Sequence, residues 1–200
     1  MNTNNCEVVQ KVDAHLRAHP HASLLAVAET LRTTCQAIEE ALQKIEGISF
    51  DEYQAGKRLA QAFAQMGEMS PAANGPYEMV RARQRITIPK ATVRYRMSGF
   101  LQRKTGFSGH CPLVDLSQDG LAFLSDHAGK RDKRLVLVLN LPEEEGALQL
   151  RARVVYSVAT GIIGYRYRIG VQFVPFGERR GCNSIKALDV IARLEKIYAP

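Results

Sequence analysis

Residues 92–97 read TVRYRM, and the pattern of this stretch decides the fold class of the C-terminal part of the chain. Val93, Tyr95 and Met97 alternate with two arginines, so apolar and charged side chains point to opposite faces. A period of two is typical of a β-strand with one buried face, whereas an amphipathic helix repeats about every 3.6 residues. The stretch therefore predicts a β-strand with a basic outer face.

Four segments downstream show the same alternation or are rich in β-branched residues, with Gly, Asp and Pro turns between them. Because five or six short strands follow one another without an intervening helix, we expect a small antiparallel β-barrel. The four segments read GLAFLS (120–125), RLVLVLNLP (134–142), LQLRARVVYSV (148–158) and YRYRIGVQF (165–173).

The chain closes on an amphipathic segment, NSIKALDVIARLEKIY (183–198). Its apolar residues recur at helical spacing, and Asn183 is predicted to be the N-cap. We expect four side chains to face the barrel, namely Ile185, Leu188, Ile191 and Leu194.

The first part of the chain is predicted to be helical. A first helix carries Val9, Val12 and Leu16 on one face and must end before Pro20. The segments SLLAVAETL (23–31) and CQAIEEALQKIEG (35–47) predict two more helices, and the capping box SFDE (49–52) predicts the start of a fourth, which extends to about Met66. The inner face of this fourth helix is predicted to hold Tyr53, Leu59, Ala60 and Phe63.

The stretch GEMSPAANGP (67–76) collects Gly, Pro and small residues, which is typical of a linker. We place the linker at residues 71–80, between a helical domain at 1–70 and a barrel domain at 81–200. The predicted fold class is therefore α+β, with an N-terminal all-α domain followed by a small antiparallel β-barrel that carries a C-terminal helix.

The composition is that of a globular protein, with 46% hydrophobic and 24% charged residues. No apolar run approaches the roughly 18 residues that cross a bilayer, and the N-terminus MNTNNCEVVQ lacks the basic start and apolar core of a signal peptide. The four cysteines of the chain have no CxxC spacing, which is typical of reduced thiols. We expect a cytoplasmic protein that does not insert into a membrane.

The net charge of +7 is unevenly distributed along the chain. Residues 1–75 hold 6 Lys and Arg against 9 Asp and Glu, which gives −3, whereas residues 76–200 hold 21 against 11, which gives +10. The basic character therefore belongs to the predicted barrel, and it indicates an anionic partner there.

Three arginines alternate in RARQR (81–85), shortly before the first strand. Arginine suits planar, bidentate capture of phosphate or of guanine edges. Taken alone, this stretch is more typical of a solvated basic linker. The hexapeptide DLSQDG (115–120) taken alone is typical of a β-turn, in which Gly120 supplies a positive φ.

In this order, R-x-x-x-R, a strand, and D-x-S-x-x-G at the opening of a further strand resemble the two motifs of the PilZ domain family. RIGVQFV (168–174) is similar to the last barrel strand of that family, and the resemblance covers about residues 78–198. The motif positions in this chain are Arg81, Arg85, Asp115, Ser117 and Gly120.

The resemblance implies a receptor for the bacterial second messenger cyclic di-GMP, with no cofactor. The residue chemistry fits this ligand, because the two arginines can fork onto a phosphate or onto guanine O6 and N7. Asp115 can accept from the guanine N1–H and N2–H donors, and Ser117 can donate to a phosphate. Gly120 removes a side chain where backbone and ligand approach closely.

Arg83 is an additional candidate for the same ligand. In an extended segment it points the same way as Arg81 and Arg85, although the family motif does not include it.

The insert SGFLQRKTGFSGHCPL (98–113) lengthens the gap between Arg85 and Asp115. Two interpretations of it remain open. It forms an extended hairpin loop, or it covers the binding face.

Catalytic and metal motifs are missing from the sequence. There is no Gly-rich phosphate loop, G-x-S-x-G or H-E-x-x-H, so we do not expect an enzyme. His15 and His19 have the spacing of a helical ligand pair, and His21 follows closely, but no further ligand accompanies them. We therefore expect no metal.

The second and third predicted helices have the length and spacing of a helix-turn-helix and resemble the pair in winged-helix regulators. A recognition helix would begin near Thr34 and expose Gln36, Glu39, Glu40 and Gln43. Carboxylates on that surface and a segment charge of −3 are unfavourable for binding DNA. We therefore favour a protein partner for the helices over DNA.

The sequence leads to one main hypothesis and two alternatives. The main hypothesis is a cyclic di-GMP receptor or adaptor that couples binding at the barrel to a helical output domain. The alternatives are a cyclic di-GMP-responsive transcriptional regulator, and a degenerate PilZ-like scaffold that acts through protein contacts alone.

Overall fold

The computed structural model divides the chain into two compact units, Met1–Ala62 and Phe63–Pro200. In the part of the chain that it describes, no helix combines the length and the apolar character needed to cross a membrane. The predicted linker at 71–80 lies outside the described residues, as do Arg81 and Arg83. The described residues are 3–68, 85–98, 106–142, 144, 146–162 and 164–199.

The first unit is built from helices at the predicted positions. Their bounds are α1 (Thr3–Ala18), α2 (Leu24–Leu31), α3 (Cys35–Ile45) and α4 (Phe50–Glu68), of which α4 continues past the first unit. Side-chain oxygens of Ser23 and Thr34 cap α2 and α3. The predicted capping box is formed, since Ser49 N–H donates to Glu52 and Glu52 N–H donates to Ser49. The core of this unit contains Val9, Val12, Leu16, Val27, Ala28, Ile38, Ala41, Leu42, Phe50 and Tyr53.

The predicted inner face of α4 is partly wrong. Tyr53 is buried as expected and Leu59 and Phe63 are half-buried, but Ala60 is exposed. Polar side chains occupy the packed face instead, because Gln54 donates to the Ala22 carbonyl at 2.7 Å and Gln61 donates to the Arg17 carbonyl at 3.2 Å. These amides satisfy backbone carbonyls of α1 and of the loop that follows it. The spacing of apolar residues in the sequence does not predict such polar contacts.

Helices α2 and α3 follow each other in the order predicted for a helix-turn-helix, with a turn at residues 32–34. Gln36, Glu40 and Gln43 are exposed as predicted, but Glu39 is half-buried. The Glu39 carboxylate accepts from the N–H of Phe50 at 3.1 Å. It lies there because the N-terminus of α4 attracts a negative charge.

The second unit contains a closed antiparallel barrel, as predicted. Its strand order is β1-β2-β3-β6-β5-β4, and the pairing of β1 with β4 closes it. Inward side chains such as Val93, Phe123 and Leu137 form the core, with Ile191 and Leu194 of the C-terminal helix packed against them. The strands are β1 (Thr92–Met97), β2 (Cys111–Ser117), β3 (Gly120–Ser125), β4 (Arg134–Asn140), β5 (Leu148–Ala159) and β6 (Tyr167–Phe173).

Strand β2 was not among the strands predicted from the sequence. Residues 111–113, predicted to belong to the long insert, already pair with β1 or lie in β2, and the strand continues through Asp115 to Ser117. The hexapeptide is therefore the end of one strand, a turn at 118–119 and the start of β3. β1 and β2 pair antiparallel, as in a hairpin. Residues 99–105 of the insert lie outside the described part.

The closing helix α5 (Ile185–Tyr198) has Ser184 as its N-cap, and the prediction of Asn183 was wrong. Asn183 is 4% exposed and instead bridges β5 and the residue that follows β6. Its Oδ1 accepts from Arg151 N–H at 2.7 Å, and its Nδ2 donates to the carbonyls of Arg151 and Val174. Ile185 was predicted to face the barrel and is 47% exposed, because it lies on the opposite side of the helix from Ala187, Ile191 and Leu194.

Candidate ligand-binding site

The carboxylate of Asp115 is the centre of the candidate site. Asp115 lies on β2 opposite Ala122, just after an irregularity in the β2–β3 pairing. Its neighbour Leu116 is buried in the barrel core, so Asp115 projects from the other face of the strand. Only 10% of the Asp115 side chain is exposed. A carboxylate this buried needs cationic or hydrogen-bonding partners.

Two arginines supply those partners. Arg85 Nη1 donates to Asp115 Oδ1, and Arg168 Nη2 donates to Asp115 Oδ2 at 2.7 Å. The side chains of Arg85 and Arg168 are 26% and 25% exposed, so both remain partly open to solvent. Two cations and one anion give the cluster a formal charge of +1, and this favours an anionic ligand.

Arg85 is positioned by a short segment that lies along β2. Ile86 and Leu116 exchange two backbone hydrogen bonds of 2.9 Å each. Ile86 and Ile88 are buried in the barrel core. The apolar side chains therefore anchor the segment, and Arg85 at its start lies within reach of Asp115. The structure brings Arg85 and Asp115 together, whereas Arg81 and Arg83 are outside the described residues.

Arg168 was not among the residues singled out from the sequence. It lies on β6, where Ile169, Val171 and Phe173 are buried and the residues between them alternate to the other face. That alternation is a signal in the sequence that places Arg168 outside the barrel. Its contact with Asp115 follows only from the β3–β6 pairing, in which Leu124 lies opposite Arg168.

Ser117 and Gly120 close the turn between β2 and β3. They are a paired position of the two strands, and Ser117 Oγ donates to the Gly120 carbonyl at 3.2 Å. A Cβ on Gly120 would lie 2.1 Å from the carbonyl oxygen of Val171. Gly120 does not have the predicted positive φ, which among the described glycines is found at Gly47, Gly146, Gly164 and Gly181. A glycine is needed here because the β6 backbone approaches closely.

The same turn is attached to the C-terminal helix. The backbone N–H of Gln118 donates to Glu195 Oε1 at 2.9 Å, and the Gln118 amide donates to the other oxygen of that carboxylate. These bonds hold the turn from the side of α5. The candidate site is therefore supported by β2, β6, the segment at Arg85 and the last turns of α5.

The histidines of the first unit form no comparable site. The rings of His15 and His19 lie 4.9 Å apart between centroids. Within the described ranges, no three His, Cys, Asp or Glu side chains are grouped so that they could hold a metal ion.

The described residues of the second unit form a closed antiparallel barrel with a C-terminal helix and a nearly buried carboxylate held by two arginines. The family model "PilZ domain" matches residues 80–188, which is more than half of the chain. The chain belongs to the PilZ domain family. A search of curated proteins gave no match.

Several solved structures are similar to this chain at low sequence identity and low TM-score. The Borreliella burgdorferi PlzA protein in complex with c-di-GMP is 13% identical over 57% of this chain and 40% of its own, with a TM-score of 0.38. The K. pneumonia MrkH–c-di-GMP complex is 20% identical over 60% and 53%, with a TM-score of 0.44. The Bacillus subtilis inhibitor of motility (MotI/DgrA) is 16% identical over 60% and 53%, with a TM-score of 0.39. The matched region spans about half of those chains or less.

Proposed function

We propose that this PilZ protein is a receptor for cyclic di-GMP and that the ligand binds on the barrel face around Asp115. One observation carries the proposal within the family assignment. Asp115 of the second motif is a nearly buried carboxylate held by Arg85 of the first motif and by Arg168. A site that already pairs cations with an acceptor matches a ligand that offers both phosphates and guanine edges.

The roles of the residues follow from their donors and acceptors. Asp115 accepts from the guanine N1–H and N2–H groups, because an ionised carboxylate has acceptors only. Arg85 and Arg168 then turn their remaining N–H donors toward phosphate oxygens or guanine O6 and N7. Ser117 is 3% exposed, and its hydroxyl keeps the turn closed. It contributes less to ligand binding than Asp115 and the two arginines.

The arginines outside the described part extend the site. Arg81 is the first position of the R-x-x-x-R motif, and Arg83 lies between it and Arg85. We propose that Arg81, with Arg83 as an additional contact, closes over a ligand seated beside Asp115. This contact of the linker arginines with the ligand is the step that couples the barrel to the helical unit.

The helical unit is proposed to act on a protein partner. The exposed face of α3 presents Glu40 between Gln36 and Gln43, and Gln36 donates to Glu40 at 2.9 Å. A carboxylate at the centre of this face repels a phosphate backbone. A transcriptional regulator that uses the same receptor is the alternative output.

Isothermal titration of the full chain with cyclic di-GMP in low salt tests the proposal. We expect saturable binding with micromolar or tighter affinity, and none with the mononucleotide GMP at the same concentration. Asp115→Ala and Arg81→Ala should each lose about 2 kcal/mol of binding free energy, because each leaves a desolvated partner without its counterpart. His15→Ala is the control and should bind like the wild type. If the folded wild-type chain releases no heat and shows no saturation, the scaffold alternative replaces the receptor.

A further inference from the structure

A second basic site lies on the barrel and borders the candidate site at Gln172, which lies opposite Gly120 in the β3–β6 pairing. Strands β4, β5 and β6 and the segment after β6 enclose a groove of about 780 Å³. Four arginines line it, and its floor contains apolar residues such as Val136 and Pro175. The lining residues include no Asp or Glu and none of the residues of the Asp115 cluster. The arginines are Arg134, Arg151, Arg153 and Arg180.

The arginines are crowded by the register of the sheet. Arg134 of β4 lies directly opposite Arg153 of β5, and Arg151 lies two residues further along the same face of β5. Like charges directly opposite each other destabilise a pair of strands. A barrel that keeps this arrangement gains from an anion that occupies the groove.

Intramolecular carboxylates neutralise little of this charge. Arg153 donates to Gln172, and its only ion pair in the described part is with Asp132 at 3.7 Å, where both side chains are more than half exposed. Arg134, Arg151 and Arg180 make no ion pair among the described residues. Three guanidinium groups in one groove are therefore available to a ligand.

The surroundings of the groove extend the positive charge. The segment before β4 carries three further exposed cations, and Asp132 N–H and Lys133 C=O bond to Val154 of β5. Arg179 is exposed next to Arg180. Asp132 and Glu178 interrupt these cations, but the positive charge extends beyond the groove, which fits an extended polyanion better than a single small anion. The three cations before β4 are Lys130, Arg131 and Lys133.

We propose that this groove binds a single strand of nucleic acid through its phosphates, without reading the base sequence. Every cation that lines it is an arginine, whose fork matches phosphate oxygens. A concave, positively charged groove that follows the backbone is the usual form of a site for single strands. The apolar floor covers the sugar or base of a bound nucleotide. The site does not depend on cyclic di-GMP binding at Asp115.

The test uses the full chain and a fluorescein-labelled oligo-dT of about twelve nucleotides, followed by fluorescence anisotropy over a range of salt concentrations. Arg134→Ala/Arg151→Ala removes two cations of the groove. Lys186→Ala/Lys196→Ala is the matched control, because it removes two exposed cations from α5 and changes the net charge equally. Cyclic di-GMP binding of each variant is measured in parallel.

We expect the groove variant to bind the oligonucleotide about tenfold more weakly in low salt, while the α5 variant stays within about twofold of the wild type. The slope of log K against log salt should become shallower by about 1.4 for two lost phosphate contacts. Cyclic di-GMP binding should be unchanged in both variants.

Three results would overturn the proposal. The first is that the wild type does not bind the oligonucleotide, and the second is that the two variants lose affinity equally. The third is that GMP, an acidic peptide or anionic lipid vesicles compete as well as an unlabelled strand of the same phosphate concentration. Failure of cyclic di-GMP binding alone would refute the receptor function and leave the groove proposal standing.

Discussion

Asp115 and Arg168 lie 53 residues apart in the chain, yet Arg168 Nη2 donates to Asp115 Oδ2 at 2.7 Å. The bond joins β2 to β6 across β3, which lies between them in the barrel. With Arg85 on the other oxygen, both sides of the carboxylate are fixed before a ligand arrives. Preorganised donors and acceptors lower the entropy lost on binding.

Arg168→Ala is expected to weaken cyclic di-GMP binding about tenfold, which corresponds to about 1.4 kcal/mol. The substitution removes one fork and leaves Asp115 Oδ2 without its charged donor. Arg168→Lys should restore little, because an ammonium group cannot reproduce a planar fork. Titration calorimetry measures both variants.

Lys186→Ala, on the exposed side of α5, is the control for the lost charge. If Arg168→Ala binds cyclic di-GMP like this control, then Arg168 belongs to the barrel structure and not to the site.

Gly120→Ala is expected to destabilise the barrel by about 2 kcal/mol or more. The new Cβ would lie 2.1 Å from the Val171 carbonyl oxygen, so β3 and β6 must separate. Gly161→Ala is the matched control, because a Cβ there has no heavy atom within 4 Å. Urea unfolding followed by circular dichroism compares the two. Equal stability of both variants would refute the close approach.

Most of the fold could be predicted from the sequence because the patterns that indicate its helices and strands are local. Alternation in TVRYRM, helical spacing before residue 70 and the capping box at Ser49 each depend on neighbouring residues, and each predicted the correct element. Ala60 and Ile185 were placed on the wrong side because polar contacts and helix phase, rather than apolarity, decide their burial.

Residues of the candidate site could be singled out from the sequence only where a motif contains them. Asp115 and Arg85 were singled out by the resemblance to the family motifs, but the contact of Arg168 with Asp115 depends on which strands are neighbours in the barrel. Strand order and register are set by packing across the whole domain. Ser117 and Gly120 were also found, but their contacts with the turn and with β6 require the three-dimensional structure.

Asn183 and Ser184 give a comparison of two adjacent polar residues. Asn183→Ala should cost about 2–3 kcal/mol of unfolding free energy, because it removes the side chain that binds the Arg151 N–H and the Val174 carbonyl. Ser184→Ala removes only the cap of α5 and should cost about 1 kcal/mol. Chemical denaturation of the two variants tests the order. A larger loss from Ser184→Ala would contradict the bridging role of Asn183.

Asp13 is expected to make the stability of the helical unit depend on acid. Burial raises its pKa, but hydrogen bonds from Lys57 and Arg17 and the charges of both outweigh this, so the pKa of Asp13 lies below the ordinary value of an aspartate. Because the folded pKa is depressed, ionised Asp13 stabilises the fold at pH values above its unfolded pKa. This stabilisation is lost as the pH falls below 3.8 and through the folded pKa.

The comparison is between the wild type and Asp13→Asn, unfolded by urea at about pH 7 and about pH 3 and followed by the helical circular dichroism signal. The wild type should be the more stable protein at neutral pH, and the difference should shrink in acid. A difference that does not change with pH would show that the charge of Asp13 makes no contribution.

The crystal structure of the full chain with cyclic di-GMP tests the central claim most directly. We predict a guanine edge on the Asp115 carboxylate and a phosphate or guanine acceptor within hydrogen-bonding distance of Arg85 and Arg168. The claim is contradicted if the ligand lies in the groove of Arg134 and Arg151, or elsewhere, while Asp115 keeps both arginines and contacts no ligand atom.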